Sequence, residues 1–129
     1  MTSKALSRSD LLAHPEILEC TVYRPDPRDS DDEVDLGDAR LLLGERVVLP
    51  VDWDASEREL YLGDANEEDL FDAWLEPESE PGNPKHFAPM QGDYIAATLP
   101  DGQIAMYFIH DRPDSSANLY VVHYEEDEL

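Results

Sequence analysis

Three polar side chains in the last third of the chain have the types and spacing for acid–base chemistry: Asp93, His110 and Asn118. A carboxylate beside an imidazole fixes its tautomer and favours its protonated form, an arrangement used for general base work or for holding a metal ligand. The same row also serves a sheet that must satisfy polar groups where its core meets water. No nucleophile motif accompanies it, so it stands as the catalytic alternative, a small enzyme or ligand-binding domain, behind a non-catalytic reading. Two further carboxylate sets invite metal chemistry. Asp52 and Asp54 flank Trp53, which sets both on one side of an extended segment, but no convergent third group is identifiable. Asp31, Glu33 and Asp35 alternate as calcium ligands do. Gly37, however, falls one place late for the turn glycine of an EF-hand loop, and Leu42 stands where the closing bidentate Glu belongs. No metal and no cofactor is therefore expected. The single cysteine, Cys20, excludes an intrachain disulfide and lies on an apolar face between β-formers, the setting of an inert core thiol. His14, His86 and His123 form no ligand pattern.

The elements that must position these groups are mainly strands. Residues 93–124 predict three consecutive antiparallel strands, a C-terminal meander. Asp101-Gly102 is a two-residue type I′ hairpin signal, since both central positions of that turn take positive φ. Counting from it pairs Ala97 with Met106, Ile95 with Phe108 and Asp93 with His110. Setting His110 opposite Asn118 then pairs Phe108 with Tyr120. One face of this sheet carries Ile95, Ala97, Leu99, Ile104, Met106, Phe108, Tyr120 and Val122 and forms the core. The other carries Tyr94, Ala105, Tyr107, Ile109, Val121 and His123 and meets earlier strands, a ligand or another subunit, which leaves room for a homo-oligomer.

Asn66 to Leu75 predicts the principal helix, over 67–75, with Asn66 as N-cap and Leu70, Phe71, Trp74 and Leu75 at helical spacing. Laid over the sheet, it makes the fold class α+β. Earlier strands are expected at 16–24, 39–43, 46–52 and 59–62. Residues 26–38 combine prolines, like charges and only two aliphatics, and read as a mobile acidic loop. Residues 125–129 read as an acidic tail. The whole chain reads as a single domain.

Charge is the outlying property of the composition. With 31 acidic and 9 basic groups in 129 residues, the net charge is −22. Residues 26–80 hold a net −16, whereas 81–124 hold only −2. The meander is thus a nearly neutral scaffold, and the negative field belongs to the segments around it. This excludes direct binding to nucleic acid phosphates or to an anionic membrane surface and favours a basic protein partner. The expectation is a non-catalytic acidic interaction protein: an inhibitor, an immunity-type antitoxin or a nucleic-acid charge mimic. Its partner-facing groups are Asp31, Asp32, Glu33, Asp35, Asp52, Asp54, Glu67, Glu68 and Asp72. Without a signal peptide or an apolar span, the expected compartment is cytoplasmic.

Overall fold

The computed structural model describes residues 6–26, 28–113 and 118–125, with 29–31 described in their backbone alone. Six antiparallel strands close into a barrel: β1 (Leu18–Asp26), β2 (Asp29–Arg46), β3 (Leu70–Pro77), β4 (Tyr94–Thr98), β5 (Ile104–Asp111) and β6 (Leu119–Glu125). Around the barrel they run β1-β2-β3-β6-β5-β4. Two three-stranded meanders, β1 to β3 and β4 to β6, are therefore joined along two seams, β3 with β6 and β4 with β1. Among the described residues the helices are α1 (Arg8–Leu12), α2 (Ala55–Leu62) and a 3-10 turn, Glu67–Asp69. None is long and apolar enough to cross a membrane. The α+β expectation, a sheet under one principal helix, is overturned by this closure.

The reason lies in residues 66–77. Asn66 does open a helical turn, but a short 3-10 one, with no hydrogen bond from the cap side chain. From Leu70 the chain is extended. The apolar run satisfies helical spacing and, through Ala73, Leu75 and Pro77, also satisfies alternation, so periodicity alone does not discriminate. The ladder decides. β3 lies between β2, where Leu41 faces Leu75, and β6, where Phe71 faces Val122, so its backbone groups find partners on both sides. The helix forms instead at 55–62, which takes in the strand expected at 59–62. There the Asp54 carboxylate accepts the Glu57 N–H at 2.8 Å, the first half of a capping box.

The meander of β4, β5 and β6 is present, but its first turn is not type I′. Gly102 N–H donates to Leu99 O at 2.9 Å and Leu99 N–H to Gln103 O at 2.8 Å, which makes a three-residue loop. Gly102 has φ +88°, while no non-glycine residue has positive φ, so Asp101 does not supply the second left-handed position that type I′ demands. Pro100 explains this, because its ring holds φ near the value for the first central position of a type I turn. One additional loop residue shifts the register by one and turns every β5 side chain to the opposite face. Ile95 consequently faces Tyr107, and Ala97 faces Ala105. Tyr107 and Ile109 point inward, and Met106 and Phe108 point outward. Along β6 the register is also displaced from the expected one, so that His123, not Tyr120, stands opposite Phe108, and an irregularity follows between Ile109 and Asp111.

The interior takes alternate residues from each strand, among them Val22, Leu41, Leu75, Ile95, Ile109 and Val122. Ala39, Ala73, Ala97 and Ala105 leave the room that Tyr107 and Tyr120 fill, as so narrow a barrel requires. Cys20 also faces inward, and burial, followed by the nearby Glu78 and Asp38, pushes its thiol up to about 12.

Candidate functional site

The expected polar row is not assembled. Ile109 N–H donates to Asp93 O at 2.8 Å, so Asp93 stands opposite Ile109 and shares the barrel interior with it. Its carboxylate, only 1% exposed, receives Arg24 Nε and Nη2, both at 2.9 Å, and the Met90 N–H at 3.0 Å. The hydrogen bonds to Asp93 hold the Arg24 guanidinium above its ordinary pKa. His110, the next residue along β5, points outward, and its Nε2 lies 2.8 Å from Tyr61 O. A carbonyl only accepts, so that nitrogen carries a proton and is the donor. Asn118 lies elsewhere, with its Nδ2 donating to Leu6 O at 2.6 Å. The three residues thus perform three separate structural tasks.

The expected partner-facing acids divide into groups. Asp54 caps α2, and Glu67 accepts the Leu49 N–H at 3.3 Å while pairing with Arg58 at 3.5 Å. Asp52 and Glu68 are exposed nearby, and Asp72 lies on β3 opposite Val121. Asp32, Glu33 and Asp35 belong to a different feature, because residues 29–38 are strand where a loop was expected. β2 outruns its neighbours: β3 pairs with it only from Ala39 onward, and β4 pairs with β1 only as far as Tyr23. Beyond those points Arg24, Pro25 and Asp26 face Val34, Glu33 and Asp29, forming a two-stranded ribbon past the barrel.

A bulge at the base of the ribbon leaves Leu36 unpaired and re-aims the strand. Gly37 beside it has φ +135°, and the Phe87 ring lies 3.1 Å from where a Cβ would stand. Both features require glycine there. Residues 26–35 carry six carboxylates and one arginine, Arg28. Asp32, Glu33 and Asp35 are exposed, and among the described residues no cation pairs with them. Asp31 belongs to the ribbon by its backbone, but its side chain, like the tail 126–129, lies outside the described residues.

Sequence reasoning missed a second feature. Residues 60–65, at the end of α2, stand over the outer face of β4 to β6 and bound a cleft of about 580 Å³. Its floor is a row of rings set side by side across three strands: Tyr94 opposite Phe108, and Phe108 opposite His123. Tyr94 and Phe108 meet edge to face at 5.2 Å. His123 Nε2 accepts the Asn66 N–H at 3.1 Å, and Nδ1 lies 3.6 Å from the Glu125 carboxylate. On the wall, Tyr61 O–H donates to Asp111 Oδ2 at 3.1 Å, and its ring meets those of His110 and Trp53 edge to face. Burial, and then the Asp111 carboxylate, raises the Tyr61 pKa and keeps the phenol a donor. Alternation did place Tyr94 and His123 on one face. Phe108 was lost through the one-residue register error and Tyr61 through the unrecognised helix.

No family model matches this chain, and no curated protein or solved structure does either. The class defined by fold and site is a small closed antiparallel barrel that projects an acidic ribbon.

Proposed function

We propose that this protein is a non-catalytic acidic interaction protein that binds a basic protein surface, as an inhibitor, an immunity-type antitoxin or a nucleic-acid charge mimic does. The acidic ribbon carries the reading. Four arginines are taken up by the protein's own carboxylates away from the ribbon acids, Arg8 by Glu76, Arg24 by Asp93, Arg40 by Glu78 and Arg58 by Glu67. Asp32, Glu33 and Asp35 instead face water on a strand pair that adds nothing to the barrel core. Concentrated charge of one sign gives fast association that salt weakens. A reducing, cytoplasmic setting suits the free Cys20.

The test compares the tagged protein with the variant Asp32→Asn/Glu33→Gln/Asp35→Asn as bait in extract of the source cells at low salt. The expected result is a basic protein retained by the parent, released by moderate salt and held much less by the variant, with both baits melting alike. Retention of nothing basic, or equal retention by both baits, would overturn the proposal.

A further inference from the structure

We infer that the cleft beside α2 is a binding site for a guanidinium group, presented by an arginine side chain of the protein partner. This rests on the reading that the partner is basic, but it concerns a part of the surface separate from the ribbon. The floor offers the faces and edges of Tyr94, Phe108 and His123, and planar guanidinium stacks on such rings more readily than compact, strongly hydrated ammonium. Every charged group that lines the cleft is a carboxylate, Asp64 at the wall and Glu125 at the floor, with no lysine or arginine among the lining residues.

Both imidazoles are already engaged by the protein's own backbone. His123 takes up the Asn66 N–H on Nε2, and His110 donates through Nε2 to Tyr61 O. The cleft is therefore rich in acceptors and π surface, whereas guanidinium has five donors and no acceptor. A neutral aromatic ligand would use the rings but leave the two carboxylates uncompensated. An anion would meet them with repulsion.

The experiment is an NMR titration of the full chain with N-acetyl-arginine methylamide and, separately, with its uncharged isostere N-acetyl-citrulline methylamide. The arginine compound is expected to move the ring signals of Tyr94, Phe108 and His123 and to bind about tenfold more tightly than the citrulline compound. Phe108→Leu, which removes a ring, and Glu125→Gln, which removes a charge, should each weaken it several-fold without lowering the melting temperature enough to unfold the protein. The ribbon variant should leave this binding in place. Equal binding of both compounds, unmoved ring signals, or a response lost in the ribbon variant but kept in both cleft variants would overturn the inference. Binding of the arginine compound without capture of a basic protein sinks the proposed function alone. Capture without arginine binding sinks the cleft alone.

Discussion

Arg24 and Asp93 show how one residue can be legible as polar and still be misassigned. The sequence marks Asp93 as a carboxylate at a strand start, and a one-residue error in register gives it His110 as its neighbour. In the fold its partner comes from β1, sixty-nine positions away, a distance that local spacing cannot reveal. The bidentate geometry and the Met90 N–H make this a satisfied buried charge. Removing the cation would leave the carboxylate in the interior uncompensated. Arg24→Ala is therefore expected to cost about 2 kcal/mol in urea unfolding, less than for an enclosed pair because the Arg24 side chain is 34% exposed. The double variant Arg24→Ala/Asp93→Asn should recover part of that loss, since the stranded charge goes with its partner.

At the level of elements, the three C-terminal strands were legible because their alternation is strong, and β1 because Cys20 and Val22 alternate into the core. Register was not, because it depended on whether Pro100 belongs to the turn. The strand identity of 70–77 was not either, because only the flanking strands β2 and β6 distinguish it from a short helix. The ribbon was hidden for another reason: burial cannot support it, and what holds it is backbone pairing with β1. Gly44 is a position where backbone packing alone sets the residue. A Cβ there would stand 2.9 Å from Asp72 O and from Trp74 Cζ3, beside the irregular pairing between Leu43 and Arg46. Gly44→Ala should destabilise by about 1–3 kcal/mol, because a ladder carbonyl cannot step aside. Gly102→Ala meets nothing within 4 Å, so it should cost only the strain of φ +88°, about 1 kcal/mol. Chemical denaturation of both variants checks that order.

Across the whole molecule, a net charge of −22 on a compact barrel opposes the folded state through self-repulsion. Raising NaCl from ~0.01 M to ~0.5 M shortens the screening length from about 30 Å to a few ångströms. The melting temperature should therefore rise with salt, while capture of a basic partner weakens over the same range. Calorimetry and binding on one salt series would check the two opposed trends, and a melting temperature indifferent to salt would show that the charge imposes no folding cost. The two-meander construction has a consequence for how the chain reaches its fold. Within each meander, pairing closes the shorter loops, the longest being the 47–69 connection between β2 and β3, but the seams join Cys20 to Ala97 and Phe71 to Val122 across longer stretches of chain. Each half should form its hairpins first and for a time show raw strand edges to the cell. During that interval the like charges gathered on β1 to β3 keep one newly made copy from zipping onto the next, so the acidity protects the protein before any partner is met.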